Sequence, residues 1–405
     1  MASDAPQAPQ APQVRLVDDA GGVAAALGEV DGPVVGVDVE RADADRYHRR
    51  AALVQVGVAG RCVLLDGVRL DGLAPLDAFL GGERTAVFHA VENDLEPLAA
   101  KGVQPSRFAD TAIAAALLGL PTGLATLLDD VTGVALDADK NRLQRADWEA
   151  RPLTGEMIAY AAGDVVHLPA LWAELARRLE SSGRREWYDQ ELARVVTRAT
   201  EPGRAWTRVK GAGKLGGAER AVLRAVWEER EALARTHDIA PNRLLHDDVL
   251  RDIAVTPPAS VDELVRRSPR RRGLLREFAD ALLQAVRRGA AAEPEERTNG
   301  RRREPDDRAV FDALRTRRAE VAERVGIDAG VLCPAQPLWA VVDGDPRDGA
   351  ELCRLAGLDG WRVEVLADPL WEAYRTARSA GGTAGQPVTD PADPPSAASP
   401  GSTGG

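Results

Sequence analysis

Apolar positions follow two rhythms along this chain, and the change between them divides it. Up to about residue 183, short apolar runs alternate with stretches of helical spacing. Residues 34–39 read as a buried strand, and 52–58 and 61–65 flank Ala59-Gly60, a hairpin turn signal. Residues 85–89 form a further short strand. Helical spacing follows over 92–100, 111–118 and 124–130, and then over one long helix from 154 to 179. Antiparallel strands giving way to β-α alternation predict a mixed sheet with helices packed on it, within a domain of residues 14–195.

Beyond it the spacing is helical throughout. Residues 203–289 predict an all-α module punctuated by Pro241, Pro257 and Pro258. Residues 290–306 are charged and poor in apolar side chains, which marks a linker, and 307–378 predict a second helical module. The Ala-Pro-Gln repeats of 1–13 and the Gly, Pro, Ser and Ala of 379–405 bury too little apolar surface to offset chain entropy, so both are expected to be disordered.

Composition narrows the function. The 405 residues carry 52 basic and 63 acidic side chains, a net charge of −11, which argues against coating of nucleic acid by bulk charge alone. Cys62, Cys333 and Cys353 are odd in number with no CxxC spacing, so neither a disulfide framework nor a cysteine-rich zinc site is expected. The first residues lack a basic segment followed by an apolar one, and no apolar run reaches membrane-spanning length. A cytoplasmic protein with no membrane partner is expected. Gly211-Ala212-Gly213-Lys214 lacks both the spacing and the preceding strand of a phosphate loop, so no nucleotide cofactor is expected either.

Three acidic elements carry the candidate chemistry. Asp38 and Glu40 end an apolar strand, and the two-residue strand period points them to one face. In His89-x(4)-Asp94 a strand runs into a turn, with Asp94 near the start of a helix, where capping is the ordinary role. Tyr160 and Asp164 lie one turn apart on the long helix, among apolar neighbours. Each element alone is unremarked in an acidic chain. Together, four carboxylates beside one sheet are costly unless they bind cations. Hard oxygen ligands suit Mg²⁺ or Mn²⁺, and a pair of such ions suits phosphoryl displacement. Tyr160 is placed to orient or help deprotonate an attacking water.

The order Asp38-x-Glu40, His89-x(4)-Asp94-Leu95, Tyr160-x(3)-Asp164 resembles the DEDD exonucleases, in the subclass with tyrosine in the third motif. The sister subclass has histidine five residues before the last Asp; position 159 is Ala. The closer resemblance is to the ribonuclease D family. Phe108-Ala109-Asp110-Thr111 looks like that family's segment after the second motif. Asp139-Lys140, Asp147-Trp148 and Arg151-Pro152-Leu153 are similar to its D-K…D-W…R-P-L signature. Ala205-Trp206, Leu223, Pro241-Asn242 and Leu250 look like the helical HRDC module, and 307–378 resembles a second, more divergent copy.

That resemblance implies an α/β ribonuclease H-like exonuclease domain, a mixed sheet with flanking helices, followed by two small all-α HRDC-type domains. It implies 3′-5′ hydrolysis of RNA with a free 3′ end, such as tRNA precursors, releasing 5′-monophosphates. It makes Asp38, Glu40, Asp94 and Asp164 ligands of two divalent cations, with Tyr160 aligning the water. The alternatives are a DNA exonuclease or an inactive nucleic-acid-binding protein. Arg41 departs from the family, which usually has an aromatic or small residue after Glu40, and Gly163 is a poor helix former beside Asp164.

Around these lie weaker candidates for binding nucleic acid. His89 at a strand end, Lys140 as a point charge, Arg151 as a fork, Lys210 and Lys214 at the start of the helical module, and Arg270, Arg271 and Arg272 in a basic run all suit phosphates. His167 reads equally as a partner of the site and as structure. Asp110 reads as the cap of the helix from Thr111, and Trp148 as a core residue.

Overall fold

The computed structural model describes residues 11–41, 45–136, 143–200, 205–295 and 305–382. One compact unit takes residues 1–300 with 325–331, and a second takes 301–324 with 332–405.

The first unit begins with a sheet of six strands: β1 (Gln13–Val17), β2 (Val34–Arg41), β3 (Ala51–Val58), β4 (Arg61–Asp66), β5 (Thr85–Phe88) and β6 (Phe108–Asp110). Their order is β1-β4-β3-β2-β5-β6. β3 pairs antiparallel with β2 and β4, whereas β1–β4, β2–β5 and β5–β6 are parallel. This is the mixed sheet that the alternation of the sequence predicts. Its helices are α1 (Val23–Leu27), α2 (Ala74–Leu80), α3 (Leu95–Ala100), α4 (Thr111–Leu118), α5 (Leu124–Thr132), α6 (Gly155–Val166), α7 (Leu168–Ser181) and α8 (Arg185–Thr200).

The two faces of β2 have different tasks. Val35, Val37 and Val39 join a core with Val54, Val56, Leu27, Leu76 and Leu80. Burying each such side chain is worth roughly 1.5–3 kcal/mol. The opposite face carries Gly36, Asp38 and Glu40, and α6 crosses it. Gly36 and Gly57 are cross-strand partners directly under that helix. A Cβ on Gly36 would lie 2.1 Å from the Val165 carbonyl oxygen, and one on Gly57 would lie 2.6 Å from Val165 Cγ2. Only a pair of glycines lets the helix come this close, and Asp164, next to Val165, is carried down onto the sheet with it.

Several elements depart from the sequence reading. The helix expected over 154–179 is two helices, broken at His167, with Pro169 in the first turn of α7. Proline has no N–H to give the Val165 carbonyl, and its ring crowds that oxygen, which favours a break at this point. The helix expected from residue 92 begins as a 3-10 turn, Val91–Asn93, and becomes α-helical only at Leu95. The strand expected to reach residue 89 ends at Phe88. Strands β1 and β6 and helices α1, α2 and α8 are additions. The three residues of β6 are too few to show a period, and α8 is too polar for its apolar stripe to stand out.

The helical remainder of the unit comprises α9 (Gly217–His237), α10 (Pro241–Leu244), α11 (Asp247–Val255), α12 (Val261–Arg266), α13 (Arg272–Glu277) and α14 (Ala279–Ala291). They enclose their own core, with Leu223, Val226, Leu250, Ile253, Leu264 and Leu282. The second unit is helical as well, with Pro305–Val325, Ala335–Gly344, Gly349–Ala356 and Trp361–Gly382 burying Leu314, Leu338, Val341, Leu352 and Leu366. Among the described residues no helix is long and apolar enough to cross a membrane.

Gly57→Ala tests the glycine seat. The new methyl meets Val165, and the expected cost is about 1–3 kcal/mol, read as a lower thermal unfolding midpoint. An unchanged midpoint would show that α6 does not depend on the pair.

Candidate metal centre and its cleft

Asp38 and Glu40 stand on the α6 side of β2, as the strand period requires. At the end of the strand a bulge between Glu40 and Arg41 shifts the pairing with β3. Asp164 descends from α6. One carboxylate oxygen from each of Asp38, Glu40 and Asp164 lies within 4.8 Å of the other two.

Asp94 comes from another direction. It occupies the N-cap position of α3, yet its side chain makes no capping hydrogen bond. Capping therefore does not explain it. It is 3% exposed, and the charge of Asp38 acts on it more strongly than any other. The 3-10 turn before it is held in place by Asp110. One Asp110 oxygen accepts the Val91 N–H at 2.6 Å, and the other accepts the Ile113 N–H at 2.9 Å, capping α4. The Asp110 N–H in turn donates to the Tyr188 hydroxyl oxygen at 2.7 Å. Ala90, at the entry to the turn, has φ 67°, a left-handed conformation that costs a non-glycine residue about 1–2 kcal/mol. Asp110 caps its helix as the sequence reading expects, and it also fixes the turn that delivers Asp94.

The charges are not balanced from within. Burial, then the carboxylates of Asp38 and Asp164, push the Glu40 carboxyl up to about 9, with Arg41 opposing. Burial and Asp38 likewise hold Asp94 well above the usual carboxylate range. Burial raises the Tyr160 hydroxyl, and the charge of Asp164 and a hydrogen bond to it raise it further. Acids this close must share protons or a cation. A donor set made only of carboxylate oxygens fits Mg²⁺ or Mn²⁺ and would be unusual for zinc or copper.

The four acids and Tyr160 line a cleft of about 1140 Å³, together with His89, Asn93, Gly123–Thr126 and the segment Gln144–Glu149. His89 Nδ1 lies 2.8 Å from the Thr111 hydroxyl, so it is tethered to the start of α4. Trp148 is 2% exposed, and its Nε1 donates to the Leu143 carbonyl at 3.1 Å. Its ring lies 6.1 Å from that of Tyr160, so a core residue braces the cleft.

Other candidates lie elsewhere. Arg151 is corrected to a structural role. Its guanidinium donates to both Asp66 oxygens, at 2.6 and 2.7 Å, and to the carbonyls of Trp148, Ala150 and Ala52. All five donors of the fork are engaged, which leaves none for a phosphate. His167 sits at the α6–α7 junction and does not line the cleft. Lys210 and Lys214 are exposed on the helical module, away from the cleft lining. Arg271 donates to the Arg243 carbonyl at 2.5 Å, and Arg272 is exposed. Lys140 and the Arg270 side chain lie outside the described residues. One residue escaped the sequence reading. Gln55 is the cross-strand partner of Asp38, is fully buried, and has neither amide atom hydrogen-bonded. A lone polar residue in the apolar strand β3 was its signal.

Comparison with known proteins matches the division into a sheet domain and helical modules. A family model described as 3′-5′ exonuclease matches residues 14–180, and one described as HRDC domain matches 219–286 and 307–374. The chain is 32% identical to the ribonuclease D of Gluconacetobacter diazotrophicus, over 83% of this chain and 86% of that one. It is 31% identical to the ribonuclease D of Acidiphilium cryptum, over the same shares. Among solved structures, Escherichia coli RNase D, described as an exoribonuclease involved in structured RNA processing, superposes with a TM-score of 0.75 at 26% identity. That match covers 90% of this chain and 99% of that chain.

The raised Glu40 pKa has a testable sign. The folded chain keeps a proton until pH about 9 that the unfolded chain gives up near 4.5. The metal-free protein is therefore expected to lose stability as pH rises between those values. In thermal melts, Glu40→Gln should flatten this dependence, and so should Mn²⁺ added to the wild type. A wild-type midpoint that rises steadily over that range would contradict the repulsion.

Proposed function

This chain belongs to the ribonuclease D family of 3′-5′ exoribonucleases, and we propose that it trims the free 3′ ends of structured RNA, tRNA precursors among them, one nucleotide at a time. The observation that carries the reading is the meeting of Asp38, Glu40 and Asp164 within 4.8 Å, with Asp94 buried in the same cleft and raised by the charge of Asp38. Asp38 is the one acid that acts on both Glu40 and Asp94, which suits it to serve two cation positions at once. Asp38, Glu40, Asp94 and Asp164 would together hold two divalent cations, Mg²⁺ or Mn²⁺. When bound, such a pair neutralises charge on the attacking and leaving oxygens of an in-line displacement.

The remaining work falls to side chains of this protein. The Tyr160 hydroxyl, its pKa raised by burial and the nearby carboxylates, hydrogen-bonds Asp164 and keeps a lone pair for a hydrogen of the incoming water, which favours orienting that water over deprotonating it. Arg41 lines the cleft where the family usually has an aromatic or small residue. A guanidinium there suits a phosphate oxygen better than a base. The water oxygen forms a bond to the last phosphorus, and the bond from phosphorus to the preceding 3′ oxygen breaks. A nucleoside 5′-monophosphate leaves, and the shortened RNA keeps a 3′ hydroxyl. Lys210, Lys214 and Arg272, exposed on the helical module, and the half-buried Arg271 would add salt-sensitive contacts to the RNA body.

Product sizing on a 5′-labelled RNA checks this reading. A ladder shortening from the 3′ end with Mg²⁺ or Mn²⁺, lost on chelation and weaker on matched DNA, is expected. Asp164→Ala should bind RNA without shortening it. Tyr160→Phe should slow trimming by about 10²-fold while the four acids remain. Wild-type trimming by Asp164→Ala would overturn the assignment.

A further inference from the structure

The first helical module grips the segment 45–50, which leads from the catalytic strand β2 into β3. The grip centres on Asp238, which follows α9 with φ 51°, a left-handed conformation that Asp tolerates better than most residues. One Asp238 oxygen accepts the His48 N–H at 3.0 Å, and the other accepts from Arg50 at 2.9 Å, with Arg46 3.8 Å away. Neighbouring groups extend the hold. The Ala240 N–H donates to the Asp45 carbonyl at 2.9 Å, Arg243 pairs with the Asp45 carboxylate at 2.5 Å, and Arg235 donates to the Tyr47 hydroxyl oxygen at 3.0 Å.

The gripped segment is part of the cleft. Asp45 lines it. Arg46 donates to Glu149 at 3.0 Å, and Glu149 belongs to the cleft wall that contains Trp148, whose ring packs near that of Tyr160. A continuous set of contacts thus runs from Asp238 through Arg46 to Glu149, in a segment that lines the same cleft as the four acids.

From this we propose that Asp238 is a positioning residue for the nuclease reaction: the first helical module sets the shape of the catalytic cleft through Asp238 and Arg46, in addition to any contact it makes with RNA. The inference rests on the exoribonuclease reading. Its physical basis is that a displacement near 1 Å at a reacting centre costs far more than the contacts that prevent it. Charges clustered at one joint also give a fixed geometry that a purely apolar contact would not.

The test uses the full chain and single-turnover removal of the first nucleotide from a 5′-labelled RNA, with enzyme varied through saturation. Asp238→Asn keeps the shape and the left-handed backbone but loses the charge facing Arg46 and Arg50. Arg46→Met cuts the link at both ends, to Glu149 and to Asp238, while the His48 and Arg50 contacts still hold Asp238. Both variants are expected to lower the plateau rate at least about tenfold, with the half-saturating enzyme concentration changed by less than about threefold. A plateau equal to wild type in Arg46→Met, whether or not half-saturation rises, would overturn the proposal. Should Asp238→Asn unfold, Arg46→Met decides alone. A wild-type enzyme inactive on RNA would instead overturn the exoribonuclease reading.

Discussion

Mutual repulsion among four carboxylates governs this structure. Asp38, Glu40 and Asp164 are packed at distances where their charges cannot all persist without compensation, and Asp94 is buried beside them. Arg41 offsets part of that charge, but Glu40 and Asp94 remain shifted upward. Metal-free, the site can relieve itself only by holding protons. Divalent cations would relieve it differently, by turning the same repulsion into affinity. Each feature that crowds the acids therefore weakens the fold and strengthens the function.

The surrounding architecture enforces that crowding. The Gly36–Gly57 pair lets α6 settle onto the sheet, so Asp164 arrives at the level of Asp38 and Glu40. Asp110, with two backbone donors on its carboxylate, holds the turn that brings in Asp94. The Arg151–Asp66 pair anchors to β4 the chain that follows the cleft-lining segment Gln144–Glu149. Breaking such a buried pair from one side typically costs about 3–5 kcal/mol, so Arg151 matters to the site as scaffold. The contacts of Asp238 with Arg46, and of Arg46 with Glu149, reach the same cleft-lining segment from the helical module.

What the sequence discloses is mostly local. A two-residue period puts Asp38 and Glu40 on one face, and a helical turn puts Tyr160 beside Asp164, and neither inference needs the fold. The mixed sheet and the helical modules follow from the change of hydrophobic rhythm. Long-range facts stay hidden. Arg151 reads as a phosphate ligand because its partner, Asp66, is 85 positions away and nothing local announces it. Asp238 and the segment it holds are 188 to 190 positions apart. Gly36 and Gly57 look like ordinary strand glycines until their register is known. The break at His167 was legible from Pro169, but the apolar periodicity on either side masks it.

The most direct measurement is calorimetric titration of the metal-free chain with Mn²⁺ near neutral pH. Convergence of the four acids predicts two ions bound per chain, with proton release as they bind, and loss of both in Asp38→Asn, because that residue faces both partners. Absence of Mn²⁺ binding, or binding that survives unchanged when Asp38 is neutralised, would contradict a shared cation site at this sheet edge.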